Sequence, residues 1–272
     1  MNIYYFVFLF IFLFGTIIGS FLNVVIYRLN TSKKIVNSRS VCFSCNKTLY
    51  WYELIPVLSF LIQKGRCRGC ASRISHQYPI VEVVTGIVFT ILAYHFLPLL
   101  YINTNLYVFY LSYFVFIFSI LIVITVYDIR HKIIPDRLVY MFIFISFVLM
   151  FLNTTGVGEM FVIPSLLQFI AGPLLALPFA LIWLLSKGTL IGFGDSKLIL
   201  GIGWMLGISI GLSALFISFW LGALFGVIML ALKKMKVNMK TEIPFAPFLV
   251  IGCFIAFIFQ IGIFKLSELF IF

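Results

Sequence analysis

Residues 107–136 read YVFYLSYFVFIFSILIVITVYDIRHKIIPD, an apolar run that ends abruptly in charged residues. A helix needs roughly 20 apolar residues to cross the hydrocarbon core of a bilayer, and residues 107–127 meet that requirement. Asp128 stands at the end of the run. A carboxylate at a membrane boundary is costly, so its presence suggests a function.

The whole chain has the composition of a membrane protein. Of its 272 residues, 63% are hydrophobic and 10% are charged, and the mean hydropathy is +1.19. These values exclude an ordinary soluble domain. The first apolar run is too long for a signal peptide and lacks a basic n-region, so we expect it to be a retained span. We predict an all-α polytopic membrane protein with about eight transmembrane helices, at 3–27, 80–100, 107–127, 137–152, 163–185, 198–211, 213–232 and 247–265.

The stretch from Leu198 to Leu232 is too long for one span and short for two. Gly207 and Gly211 lie near its middle. Glycine accommodates the backbone conformations of tight turns. We therefore predict a tight turn at these glycines that separates the sixth and seventh spans.

The basic residues predict the orientation of the chain. With eight spans, all but one of the 19 Lys and Arg residues fall in loops on the same side, which the positive-inside rule assigns to the cytoplasm. Both termini are then outside, and only Lys265 is an external basic residue. This asymmetry accounts for the net charge of +11 without a nucleic-acid partner. The predicted cytoplasmic loops are 28–79, 128–137, 186–197 and 233–240.

The same topology places two of the three aspartates at one membrane face. Asp128 ends an inward-running span, and Asp195, in the segment GFGDSK at 192–197, begins an outward-running one. If the carboxylates meet, they suit general acid/base chemistry on a peptide bond. The alternative for Asp128 is a surface ion pair with a neighbouring basic residue. Asp195 could also cap a helix, which is compatible with catalysis. Asp136 follows Pro135 in an ordinary N-cap position, and it is predicted to cap the helix or to give local structural support.

Four of the five cysteines form two Cys-x-x-Cys pairs, Cys42 with Cys45 and Cys67 with Cys70. Such turns can present four thiolates tetrahedrally to one Zn²⁺. Disulfides are rare in the cytoplasm, and a closed four-thiolate set leaves no position for catalysis. We therefore predict a structural zinc site. Cys253 is expected to be a small apolar residue of the last span.

Between the cysteine pairs, residues 54–62 form an apolar run that is too short to span a membrane. Two interpretations stay open at this stage. The run could lie on the membrane surface, or it could form the hydrophobic core of a small zinc domain.

Taken together, these elements resemble the type IV prepilin leader peptidases, a family of bacterial membrane aspartic peptidases. The resemblance covers nearly the whole chain, and the order of the motifs makes it specific. Two small departures are Ala246, where the closing motif usually has glycine, and Ser196, where bulkier residues are common. The substitution at Ala246 should be tolerated unless φ is positive there. The matching segments are 14–29, 38–70, 74–86, YDIRHKIIPD with the first catalytic aspartate, GFGDSK with the second, and EIPFAPFLVIG at 242–252.

The resemblance implies that Asp128 and Asp195 cut the basic leader from prepilins or pseudopilins at the cytoplasmic face of the bacterial inner membrane. Members with a cysteine-bearing loop also methylate the new N-terminal amine with S-adenosylmethionine, for which residues 53–66 are our suspected region. The implied organisation is a first helix at 1–27, a cytoplasmic zinc-binding domain at 28–79 and a membrane peptidase domain at 80–272. The alternatives are a peptidase without methylation, a transporter with ion-binding carboxylates, or a zinc-stabilised scaffold.

Overall fold

The computed structural model describes residues 3–31, 34, 39–152, 161–231 and 243–262. Regular structure there is helical, with only isolated β-bridges besides, so the all-α prediction is confirmed. The predicted basic segment 233–240, Lys33 and Lys265 lie outside the described residues. The helices are α1 (Ile3–Arg28), α2 (Leu58–Ile62), α3 (Gln77–His95), α4 (Leu97–Ile102), α5 (Thr104–His131), α6 (Asp136–Leu149), α7 (Leu166–Leu185), α8 (Phe193–Ala231) and α9 (Ala246–Phe259).

The helix lengths do not confirm a count of eight spans. In the described part of the chain, α1, α3, α5, α7 and α8 are long and apolar enough to cross a membrane. Helices α6 and α9 have 14 residues each, fewer than the roughly 20 that a perpendicular span needs.

Helix α8 turns back on itself at Gly207, which has a φ of +74°. A Cβ placed on Gly211 would lie 3.9 Å from the Cα of Gly203. Eight residues of uninterrupted helix would separate these positions by about 12 Å along the axis. The predicted turn is therefore confirmed at Gly207, whereas Gly211 belongs to the returning half.

The chain divides into two compact units, and the first comprises residues 1–123. In this unit α1 and α3 approach closely through glycine. A Cβ on Gly15 would lie 2.7 Å from the Cα of Gly86, and one on Gly19 would lie 2.7 Å from the Cα of Glu82. Buried Asn23 adds a polar link by donating to the carbonyl of Tyr78 at 3.1 Å. Small residues and interhelical hydrogen bonds are the usual means of joining helices within lipid.

The second unit, residues 124–272, contains the last two turns of α5 and helices α6 to α9. Helix α8 packs against its neighbours through small residues. A Cβ on Gly203 would lie 2.7 Å from the Cα of Gly172 in α7, and one on Gly252 in α9 would lie 2.5 Å from the carbonyl oxygen of Ala214. This unit carries both aspartates that the sequence singled out.

Candidate functional site

Asp128 lies near the end of α5 and is buried. Its Oδ2 accepts a hydrogen bond from the backbone N–H of Ala246 at 3.3 Å, and Ala246 is the first residue of α9. A helix N-terminus favours negative charge, so the closing motif supports this carboxylate. The alternative of a surface ion pair is wrong, because Asp128 is only 4% exposed.

Asp195 is the third residue of α8 and is also buried. Its Oδ1 has no hydrogen-bond partner within the described part of the chain. Gly194, the residue before it, packs closely on Ile134, since a Cβ on Gly194 would come within 2.9 Å of that side chain. Asp195 is inside the helix, so it is not the N-cap that the alternative interpretation required. A buried acceptor without a protein partner can instead serve water or a substrate.

The two carboxylates interact electrostatically: the charge of Asp128 acts directly on Asp195. Buried carboxylates whose charges act on each other resist being ionised together, so such a pair can share one proton. The hydroxyls of Thr125 and Ser196 are also buried without a described partner. Thr125 precedes Asp128 by about one helical turn, and Ser196 follows Asp195 directly. The second unit therefore places an unpartnered polar atom within about one helical turn of each carboxylate.

Asp136 does not act as the predicted N-cap. It is the first residue of α6, Pro135 occupies the cap position, and no side-chain cap bond forms there. Its Oδ1 instead receives a hydrogen bond from Lys197 Nζ at 2.7 Å. The lysine also lies over the rings of Tyr140 and Phe193, at 4.9 and 5.0 Å from their centroids. These contacts join the first turns of α6 and α8. Sequence reasoning missed them, although both charged residues lie inside the motifs that carry the aspartates.

The departure at Ala246 is accommodated. Ala246 is buried and is not among the residues with positive φ, so a side chain at this position causes no backbone strain. The stated condition for tolerating alanine in place of glycine is therefore met.

The four predicted metal ligands come together in the first unit. The Sγ atoms of Cys42, Cys45, Cys67 and Cys70 all lie within 4.8 Å of one another, and those of Cys42 and Cys70 are 3.9 Å apart. Tetrahedral coordination with metal–sulfur bonds of about 2.3 Å places sulfurs about 3.8 Å apart. The cluster therefore fits a metal ion of the size of zinc.

The two cysteine pairs fold alike. In each, the residue after the second cysteine donates its N–H to the carbonyl of the first cysteine, Asn46 to Cys42 and Ala71 to Cys67, both at 2.9 Å. Asn46 and Ala71 have φ values of +55° and +56°. The repeated turn points backbone N–H groups at the sulfurs, including Gly69 N–H at 3.4 Å from Cys67 Sγ.

The surroundings of the cluster shift the pKa values of its thiols in different directions. The backbone N–H groups of Cys45 and Ser44 lower the pKa of Cys42 to about 6. At Cys45 the backbone N–H of Lys47 acts in the same direction, but the neighbouring Cys70, burial and Cys42 together raise its pKa to about 11. Four crowded sulfurs cannot all be thiolates without a compensating cation, and a metal ion bound among them would supply that charge.

The first unit also resolves the two interpretations of residues 54–62. In α2 no residue is buried, and Leu58, Leu61 and Ile62 are exposed. The run is therefore not the core of the cysteine-bearing segment. Glu82, the sixth residue of α3, accepts a hydrogen bond from the N–H of Val57, the residue before α2, at 2.8 Å.

Comparisons with known proteins agree with the fold and the motifs. Residues 13–96 match the bacterial peptidase A24 N-terminal domain, and residues 115–227 match the type IV leader peptidase family. The chain is a polytopic membrane protein of this family, to which it belongs by sequence over most of its length.

Its relatives include proteins called prepilin leader peptidase/N-methyltransferase. One from Bacillus subtilis (strain 168) is 34% identical over 249 residues, covering 90% of this chain and 91% of that protein. One from Legionella pneumophila is 30% identical over 287 residues, covering 94% and 92%. One from Aeromonas salmonicida (strain A449) is 29% identical over 267 residues, covering 88% and 86%. No solved structure matches the chain significantly.

Proposed function

We propose that the chain is a membrane aspartic endopeptidase that removes the leader of prepilins or pseudopilins, with Asp128 and Asp195 as its catalytic residues. The observation that carries this proposal is the pair of buried carboxylates in one compact unit, Asp128 near the end of α5 and Asp195 near the start of α8, the second with an Oδ1 atom that has no described hydrogen-bond partner. The names of the relatives supply the substrate class. A scaffold role would leave the burial of both carboxylates unexplained.

In the proposed reaction, one carboxylate is ionised and the other is protonated. The ionised carboxylate takes a proton from water, and the resulting hydroxide attacks the carbonyl carbon of the scissile peptide bond. The protonated carboxylate donates its proton to the carbonyl oxygen. Collapse of the tetrahedral intermediate breaks the C–N bond. The amine leaves with the proton that the first carboxylate took from water, and a hydroxyl of the intermediate returns its proton to the other carboxylate, so the pair again holds one proton. The unpartnered Oδ1 of Asp195 is available to water or to the substrate carbonyl, whereas Oδ2 of Asp128 is engaged by Ala246.

The helix ends suit a substrate that stays in the bilayer. Asp128 lies one turn before α5 ends at His131, and Asp195 lies two residues after α8 begins. We place both on the cytoplasmic side of the inner membrane, together with the cysteine-bearing loop, because the basic residues concentrate in the flanking loops. The division at residues 27 and 79 and the external termini stay predictions of the same argument.

We further propose that the four cysteines hold a structural Zn²⁺ and that the protein methylates the new N-terminus. The sulfur spacing supports zinc, and four protein ligands leave no coordination position for a reactant. Methylation rests on the names of the relatives. S-adenosylmethionine would supply the methyl group, and we assign none of its binding residues.

A single assay tests both activities. The purified protein in detergent is incubated with a synthetic prepilin, with and without S-adenosylmethionine, and the products are analysed by mass spectrometry. We expect loss of the leader in both cases and an added methyl group on the mature product only with the methyl donor. An uncut prepilin in the presence of correctly folded protein contradicts the peptidase assignment, and a cut but unmethylated product contradicts the second activity alone.

A further inference from the structure

Helix α2 presents an apolar face outward. Leu58, Leu61 and Ile62 occupy positions i, i+3 and i+4 and therefore share one side of the helix. Their side chains are 57%, 63% and 68% exposed. On the opposite side, Phe60 is half-buried, with its ring 5.6 Å from that of His76. The short helix is thus attached through Phe60 and leaves its three largest aliphatic side chains uncovered within the first unit.

The attachment of α2 to α3 sets its depth. The backbone N–H of Val57, the residue that precedes α2, donates to Glu82 Oε2 at 2.8 Å. Glu82 lies five residues into α3, which is about 7.5 Å along the helix axis. Because α3 is long and apolar enough to span the membrane, α2 starts beside a membrane helix rather than above it.

The backbone conformation of Val57 indicates that surrounding contacts hold the start of α2 in place. Its φ is +60° and its ψ is −52°, a conformation that β-branched residues rarely adopt. Glu82 is buried, and a buried carboxylate needs hydrogen-bond partners. The Val57–Glu82 bond therefore fixes the entry to α2 at a defined level of α3.

Positively charged residues lie close to α2, as expected for a helix at the surface of an acidic bilayer. Lys64 and Arg66 lie within four residues of the end of the helix and are exposed. Apolar side chains flanked by basic residues are typical of helices that lie in the headgroup region of acidic bilayers. The cysteine-bearing segment is inserted in the chain between α1 and α3, which are both long and apolar enough to cross a membrane.

We propose that α2 lies in the membrane interface, with Leu58, Leu61 and Ile62 in contact with lipid acyl chains and the following basic residues at anionic headgroups. This contact holds the cysteine-bearing segment against the bilayer at the level of Glu82. The proposal does not depend on the peptidase assignment, since it concerns only contacts of the first unit.

Site-specific photocrosslinking tests the proposal. The full-length protein with Leu61→p-benzoylphenylalanine is placed in nanodiscs that contain phosphatidylglycerol and is then irradiated. A matched variant carries the same crosslinker in place of Thr48, an exposed residue near the first cysteine pair. We expect at least a fivefold larger fraction of lipid adduct from position 61 than from position 48, by mass spectrometry. Equal fractions, or adducts from position 61 to protein instead of lipid, overturn the proposal.

Two variants of Glu82 test the depth argument in the background of the crosslinker at position 61. Glu82→Gln keeps an oxygen that accepts the Val57 N–H, so we expect the lipid adduct to persist. Glu82→Ala removes the acceptor, and we expect the adduct to fall at least twofold. A fall with glutamine as large as with alanine contradicts the role given to this hydrogen bond, and the glutamine variant remains informative if the alanine variant does not fold.

Discussion

Lys197 connects the turn that carries Asp195 to α6, and its replacement by methionine should slow leader cleavage. The lysine side chain is 15% exposed and forms an ion pair of 2.7 Å with Asp136, whose side chain is 62% exposed. Solvent screening limits such a pair to about 0.5 kcal/mol. The contacts with Tyr140 and Phe193 each contribute about 0.5–1 kcal/mol. The methionine variant therefore loses about 1.5–2.5 kcal/mol of anchoring.

If that anchoring holds Asp195 in its reactive position, kcat should fall by up to about 13-fold to 70-fold, because each 1.36 kcal/mol corresponds to a factor of ten. Initial rates of leader release from a synthetic prepilin measure the effect. Asp136→Asn removes only the ion pair, so by the same conversion it should lower kcat about twofold. Lys197→Arg keeps the charge and should retain most of the activity.

The relative kcat values of these variants test the anchoring role of Lys197. A Lys197→Met protein with the kcat of the unmodified chain refutes the anchoring role. So does an Asp136→Asn variant that loses more activity than Lys197→Met, because the aromatic contacts would then contribute nothing. A thermal unfolding curve for each variant separates loss of anchoring from loss of the folded state.

Three further outcomes concern the cysteine-bearing segment. Removal of metal with a strong chelator should loosen this segment to proteolysis while the second unit stays folded, and protection after verified metal loss would oppose a structural metal. Ala71→Gly should stabilise the segment by about 0.5–1 kcal/mol, because alanine is strained at positive φ, whereas Asn46→Gly should change stability much less; urea unfolding with metal release as the signal distinguishes them. Hydrogen bonds from the Tyr50 backbone and from Lys47 lower the pKa of Glu53, so Glu53→Gln should reduce stability near neutral pH. That difference should shrink as the pH falls below the ordinary glutamate pKa of about 4.3, and a constant difference between pH 7 and pH 3 would contradict this origin.

The sequence predicted features that depend on local composition. Long apolar runs form helices because, in lipid, the N–H and C=O groups of the backbone must hydrogen-bond to each other. The paired cysteines form a cluster because two similar turns present their sulfurs together. The turn at Gly207 was predictable because the apolar run is too long for one span and short for two, with glycines near its middle. In each case the signal lies within a few tens of residues.

Features that depend on distant partners were missed. The cap assigned to Asp136 was wrong because its carboxylate pairs with a lysine 61 positions later. The role of Ala246 as a backbone donor to Asp128 joins residues 118 positions apart. The apolar run at 54–62 fitted either a core or a surface until the exposure of Leu58, Leu61 and Ile62 was known. Nothing in local composition encodes these pairings.

The most direct test of the central claim is leader cleavage by Asp128→Asn and Asp195→Asn, each measured against the unmodified protein in the same detergent. Asparagine keeps the size of the side chain but cannot serve as acid or base, and such catalysis contributes about 10²–10⁴-fold. We predict that each variant loses at least about a hundredfold in cleavage rate. Methylation of a peptide that already lacks its leader provides the control for folding, because we assign neither aspartate to that activity. Cleavage at the unmodified rate by either variant would contradict the account.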